Sequence, residues 1–289
     1  MKVPVRSLLA IRNASTAVST VESVAPATLT SEFFDHIRQQ VYGDTKKVDK
    51  VVVSVVTEDR TQPVLVNRNV STAFHCLNHI NKQLADDSVL VEVIPSVGGA
   101  YFGSVNQPIQ DQAEIRKIAF DTQEHASLVN EAYWRSCSFV TAAILKDALD
   151  AEIDCEFPPG SVEQGFFSVS LKGLEGNALT FDELATINRF GKTFIREEKA
   201  LEVISVPKTL AEESGIRGES LIRIGHHVFA TNGPVIRSTR QIGRFSIFRS
   251  KPIGKDVLVG GVSLPTRQPT SSYSWSLIAK NAQQKFSKN

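Results

Sequence analysis

The sequence predicts an α+β fold in two units, and three patterns predict it. Short β-branched runs alternate at the two-residue period of half-buried strands, while other stretches repeat apolar residues at helical spacing behind capping residues. The two kinds of element are grouped: strands around a helix, then a long helix followed by strands with a second helix among them. At 289 residues the chain is long enough for two such units, each with its own core. Composition is that of a globular protein, 42% hydrophobic and 22% charged. No apolar run approaches the roughly 20 residues that cross a bilayer, so a membrane span is not expected.

A helix is expected around 32–41, followed by the polar link "GDTKKVDK". "VVVSVV" (51–56) is a β-branched strand, "EDRT" turns, and "PVLVNRNV" gives a second strand with Val64 and Val66 on one face. Asn69 or Ser71 can cap "STAFHCLNHINKQL", where Phe74, Leu77, Ile80 and Leu84 recur at helical spacing. "VLVEVI", a turn at Gly98-Gly99 and "AEIRKIAF" return as strands ending at Phe120. Two strands, a helix and returning strands in about seventy residues describe a ubiquitin-like β-grasp unit. The second unit opens near Asn130 with a helix carrying Trp134, Cys137 and Val140 or Thr141 on one stripe and running to about Leu149. "GFFSVSL" alternates as a strand. In "TFDELATINRF", Thr180 is an N-cap, Glu183 completes a capping box, and an amphipathic helix follows. "SLIRIGHHVFATNGPVI", "RFSIFR" and "VLVGGVSLP" read as strands joined by glycine turns. "SSYSWSLIAKNAQQKFSKN" reads as a closing helix that frays into a polar end.

Charge is unevenly placed. Residues 1–21 hold Lys2, Arg6 and Arg12 with no acid, residues 232–289 hold ten basic side chains against Asp256 alone, and a net charge of +1 leaves −11 for the middle. "MKVPVRSLLAIRNASTAVST", with no acid before Glu22, has the composition of a mitochondrial transit segment. The expected organisation is a transit segment over 1–21, a helical lead-in and linker over 22–49, the β-grasp unit over 50–121, a second domain over 122–268, and a helix and tail over 269–289. Three cysteines, Cys76, Cys137 and Cys155, are too few and too scattered for a disulfide framework or a Cys-x-x-Cys zinc site.

"NEAYWRSCSFVTAAIL", "GFFSVSL", "TFDELATINRF" and "TNGPVIRSTRQIGRFSI", in that order behind a β-grasp unit, resemble the amino-terminal half of threonyl-tRNA synthetase over residues 50–264. The resemblance implies an editing-like second domain, whose family site uses a His-x-x-x-His pair on the helix near Asn130 and a Cys-x-x-x-His pair beside a Gly-Pro. Residues four apart share one helical face, so two imidazoles can converge on one substrate. Arg135 and Phe139 occupy the first pair here; Thr231 and Val235 occupy the second, around Gly233-Pro234. Arg is charged at all relevant pH and Phe and Val do not titrate, so the resemblance implies a site that has lost its general bases. "NEAYWRSC" and "GGVSLP", with the leader and no synthetase core, are similar to the mitochondrial large-ribosomal-subunit protein thirty-nine family. That resemblance implies a structural, non-catalytic protein of the mitochondrial ribosome in the matrix, with ribosomal RNA and other large-subunit proteins as partners.

Other candidates are weaker. Cys137 lies between the altered positions, so an aminoacyl-tRNA deacylase rearranged around it is the enzymatic alternative, although a reactive thiol needs a basic partner. A mitochondrial RNA-binding regulator outside the ribosome is the second. His75 and His79 are four apart on a helix but lack further ligands, and His226 and His227, as strand neighbours, are expected to face opposite ways and not chelate together. No metal is expected. "GGAYFG" and "GGVSLP" lack phosphate-loop spacing and read as turns, so no cofactor is expected. Arg237, Arg240, Arg244, Arg249, Lys251, Lys255 and Arg267, interleaved with Phe245, Phe248 and Tyr273, form the candidate RNA-binding set through phosphate contacts.

Overall fold

The computed structural model describes residues 28–43, 49–149, 152–158 and 162–288. The expected transit segment and most of the following link lie outside the described residues. The α+β expectation is borne out: seven α-helices and twelve strands in three sheets are described.

Helix α1 (Ser31–Tyr42) begins behind Thr30, whose side chain accepts from the Phe33 amide at 3.1 Å and satisfies one of the free amides of the first turn. Its apolar face, Phe34, Ile37 and Tyr42, is buried not on the next unit in sequence but on Ile204, Leu221 and Val228 of a distant sheet. Arg223 fixes the same seam by pairing with Asp35 at 2.8 Å and Glu202 at 2.8 Å while its guanidinium lies 4.5 Å from the Phe34 ring centroid.

The first unit contains β1 (Lys50–Val56), β2 (Thr61–Asn67), α2 (Ala73–Ile80), α3 (Lys82–Asp87), β3 (Leu90–Pro95), β4 (Tyr101–Ser104) and β5 (Ala113–Ile118). The sheet order is β2-β1-β5-β3-β4, with β1 parallel to β5 and the other pairs antiparallel. Val53, Val55, Val64, Val66 and Ile115 meet Cys76 and Leu77 of α2 in one core, as strand alternation and helical spacing foretell. The single helix expected here is two. Asn81 takes extended dihedrals (φ −161°, ψ 128°), and its side chain accepts from the Gln83 amide at 2.8 Å, restarting the chain as α3. The cap of α2 is Thr72 and not Asn69 or Ser71: the Thr72 amide donates to His75 Nδ1 at 3.1 Å, while Asn69 sits at φ 62° and Ser71 Oγ accepts from the Asn67 amide.

The second unit contains α4 (Ala126–Ala148), β6 (Asp154–Glu156), β7 (Phe167–Lys172), α5 (Phe181–Arg196), β8 (Leu201–Ser205), α6 (Lys208–Glu213), β9 (Ser220–Ile224), β10 (His227–Thr231), β11 (Ile242–Ile253), β12 (Asp256–Pro265) and α7 (Ser272–Lys288). Helix α4 starts one turn before the expected Asn130 and is buried on all sides between Ser136 and Leu145. It runs between sheet β11-β12-β7-β6 and sheet β10-β9-β8, so its core residues face Val169 and Val259 as well as Ile222 and Phe229. The capping box at Thr180 and Glu183 is present, with the Thr180 amide donating to Glu183 Oε2 at 2.7 Å.

Two carboxy-terminal expectations are corrected. "GGVSLP" is no turn: Gly260 and Gly261 lie inside β12, paired with Arg249 and Ile247 on one side and Ser168 and Phe167 on the other. A Cβ on Gly260 would stand 2.7 Å from the Phe286 ring, and one on Gly261 would stand 2.5 Å from the Phe167 ring. The missing side chains let aromatic rings lie directly on the strand. Nor does the tail fray, because α7 extends to Lys288 with Phe286 and Ala282 packed on Phe166 and Val262.

Candidate functional site

The four positions expected to be degenerate editing positions lie around one seam between α4 and the β10–Pro234 segment. Arg135 and Phe139 are one helical turn apart on the same face. The Arg135 guanidinium donates from Nη1 to the Pro234 carbonyl at 2.7 Å and lies against Gly233, where an added Cβ would stand 2.7 Å from it. The glycine therefore makes room for the guanidinium. Burial lowers the Arg135 pKa, with Glu131 acting the other way.

Phe139 stacks on Phe229 at 5.5 Å and meets Phe157 edge-on at 4.4 Å. Thr231 Oγ1 donates to the Gly233 carbonyl at 3.3 Å, and Val235 is buried with its amide donating to Ser104 Oγ of β4 at 2.8 Å. Ser136, next to Arg135, accepts from the Ile236 amide at 2.9 Å. Each side chain thus packs or holds backbone, and none of the four is an imidazole, carboxylate or thiol that could serve as a general base near neutral pH.

Cys137 is fully buried beside Tyr133 and Ser263, and burial pushes its thiol up to about 12. A thiolate is the nucleophilic form, so this environment works against nucleophilic catalysis. Cys155 and Cys76 are also pushed up to about 12 by burial.

The seven basic candidates divide into two groups. Arg237 pairs with Asp86 at 3.4 Å and lies over the Phe74 ring at 4.5 Å, Arg267 pairs with Asp87, and Arg240 pairs with Glu198 at 3.7 Å. These three arginines share a cleft with Asp86, Asp87 and Gln241, at the seam between the two units. Gln241 reinforces it by donating to the Ser88 carbonyl at 2.9 Å, and Asn106 bridges by donating to the carbonyls of Leu201 at 3.0 Å and Arg237 at 2.8 Å. The second group flanks α7. Arg249 donates to Ser287 Oγ at 2.7 Å, Lys251 donates to the Phe286 carbonyl at 3.2 Å, and Arg244 donates to the Thr270 carbonyl at 3.3 Å. Lys251 also supports the carbonyl end of a helix, where a cation is favoured. Lys255 is exposed in the β11–β12 turn.

The histidine pair His226-His227 departs from expectation. His226 is not in a strand: it is the second residue of the two-residue turn Gly225-His226 between β9 and β10, where Gly225 at φ 63° supplies the positive φ such a turn needs. Strand alternation therefore does not separate the rings, whose centroids are 3.9 Å apart. Both Nε2 atoms reach Asp147 Oδ1, at 3.2 Å from His226 and 2.7 Å from His227. Burial lowers the His227 pKa against the opposite pull of Asp147. By contrast, His75 of the other pair closes the α2 cap.

The chain is similar to large ribosomal subunit protein mL39 of Drosophila melanogaster, 22% identical over 263 residues, which span 82% of this chain and 78% of that protein. No protein-family model matches the chain. Among the described residues no helix is long and apolar enough to cross a membrane.

Proposed function

We propose, on the premise that the chain belongs to the family of large ribosomal subunit protein mL39, that it is a structural, non-catalytic protein of the mitochondrial large ribosomal subunit, acting in the matrix. The observation that carries this reading is the similarity to mL39 across most of both chains. The contacts made by Arg135 and Phe139 support it. A β-grasp unit over 50–121 joined to an editing-like domain over 122–268 would leave a substrate pocket between helix and Gly-Pro segment, and here the Arg135 guanidinium and the Phe139 ring stand at that seam. What such a protein offers an assembly is contour and many weak contacts.

The proposed RNA-binding set is Arg237, Arg240, Arg244, Arg249, Lys251, Lys255 and Arg267. Arg244, Arg249 and Lys251 lie along β11 and reach α7 or the residue run just before it, α7 carries Lys285 and Lys288 in its last turn, and Lys255 is exposed in the β11–β12 turn. This face supplies the phosphate contacts. Arg237 and Arg267 hold the two units together through Asp86 and Asp87, Arg240 pairs within the second unit with Glu198, and all three reach RNA only with their remaining donors. The acidic middle faces neighbouring proteins.

Gradient sedimentation of mitochondrial lysate tests the reading. The chain is expected with the large subunit in near-stoichiometric amount, and a predominant free pool would point to a regulator outside the ribosome.

A further inference from the structure

Asp147, His226 and His227 form a three-donor cluster that the proposed role does not use. Their ligand atoms all lie within 4.8 Å of one another. Sequence spacing hides it, since Asp147 ends α4 and the histidines sit about eighty residues later on a hairpin.

Two of the cluster's three edges are already close to those around a bound cation. Ligands of a four-coordinate zinc ion, at roughly 2.0–2.2 Å from the metal, stand about 3.3 Å from each other. His226 Nε2 and Asp147 Oδ1 are 3.2 Å apart, and the 2.7 Å between His227 Nε2 and the same oxygen has only to open by about half an ångström to match that spacing. Both imidazoles approach through Nε2, and the rings already converge at 3.9 Å.

The supporting parts are fixed. Ser31 Oγ donates to the His226 carbonyl at 3.1 Å and ties the turn to α1. The His227 ring lies against Phe229 at 6.5 Å, with its side chain only 11% exposed. Ligands held this way lose little freedom on binding. Asp147 also occupies the last turn of α4, where the helix end carries partial negative charge and a carboxylate is unfavourable unless a cation sits beside it. Lys146 is the adjacent cation, but its ammonium is directed over the Phe229 ring at 5.9 Å. Its charge weakens a divalent ion without blocking the approach.

We propose that Asp147, His226 and His227 bind a borderline divalent transition-metal cation of the zinc class, with water completing the coordination on the open His226 side, which is 73% exposed. Two imidazoles and one carboxylate suit zinc, whereas magnesium and calcium favour all-oxygen sets. When the metal binds, the proton bridging His227 Nε2 and Asp147 passes to Nδ1 or to solvent, since the ligating nitrogen must be free of it. The ion would staple the end of α4 to the β9–β10 hairpin.

The test uses the full chain with zinc chloride competing against a chromophoric chelator, and cobalt(II) as an optical reporter of geometry. One equivalent is expected to bind, with affinity falling about tenfold or more in His226→Gln and in Asp147→Asn, and unchanged in the control His75→Gln. Zinc should also raise the thermal midpoint of the wild type but not of His226→Gln. His226→Gln alters an exposed turn side chain, so it decides the matter even if a variant at the more buried His227 fails to fold. Retained stoichiometric binding in His226→Gln combined with Asp147→Asn, or no uptake by the wild type in zinc excess, overturns the proposal.

Discussion

Introducing a methyl group at Gly233 is expected to break the Arg135 contact without straining the backbone. Gly233 is not among the residues at positive φ, so alanine is permitted there. Its Cβ would stand 2.7 Å from Nη1, 2.8 Å from Cζ and 2.9 Å from Nη2 of Arg135, which forces the guanidinium off the Pro234 carbonyl. Hydrogen bonds made by charged groups contribute about 1.5–3 kcal/mol, so Gly233→Ala should cost about that much. Arg135→Ala should cost a similar amount by removing the same bond. With Arg135 already gone, the three atoms nearest the added methyl group are gone with it, and Gly233→Ala is expected to be close to neutral. The double variant should therefore match Arg135→Ala, giving a coupling of about 1.5–3 kcal/mol. Urea unfolding followed by the fluorescence of Trp134, the neighbour of Arg135, measures all four corners of the cycle. Losses that add to within about 0.5 kcal/mol would refute the reasoning.

Further perturbations address the remaining links. Gly260→Val should detach α7, removing the burial of Phe286 that contributes about 1.5–3 kcal/mol, and limited proteolysis should then cut within the last helix. Phe139→Ala, which opens the aromatic cluster with Phe157 and Phe229, should cost about 3–5 kcal/mol in thermal or urea unfolding. Raising pH should destabilise the fold: the thiols of Cys76, Cys137 and Cys155 are held at about 12, whereas in the unfolded chain they ionise near their ordinary value. Between those values the unfolded state has lost protons that the folded state keeps, so stability falls with pH; equal urea midpoints at neutral and strongly alkaline pH would contradict this. Reversing the charge of Arg249 and Lys255 together should weaken ribosomal-RNA binding and flatten its salt dependence, while Arg267→Ala should mainly loosen the contact with Asp87, read by hydrogen exchange of α3.

Local signals were legible in the sequence where local chemistry decides the outcome. The Thr180–Glu183 box, the paired Val64 and Val66, and the helical face of Leu77 all follow from spacing, and the structure places them as expected. The break at Asn81 was missed because the apolar period continues through it, while the side-chain cap that restarts α3 carries no apolar signal. The buried glycines of β12 read as turns because the reason for them, the rings of Phe286 and Phe167, lies at distant sequence positions. Of the candidate site, the positions Arg135, Phe139, Thr231 and Val235 could be named, but the glycine vacancy that receives the guanidinium could not. The convergence of His226 and His227 on Asp147 was hidden twice over, by the assumed strand alternation and by an acid from another element. The arginines at the seam looked like free phosphate ligands because their partners, Asp86 and Asp87, precede them by well over a hundred residues.

The central proposal is that the seam between α4 and the Gly233-Pro234 segment serves shape and not chemistry. Incubating the purified chain with mischarged threonine tRNA tests it most directly. The account predicts no release of amino acid above the uncatalysed rate, with or without added zinc. Steady turnover that disappears in Cys137→Ser would contradict it.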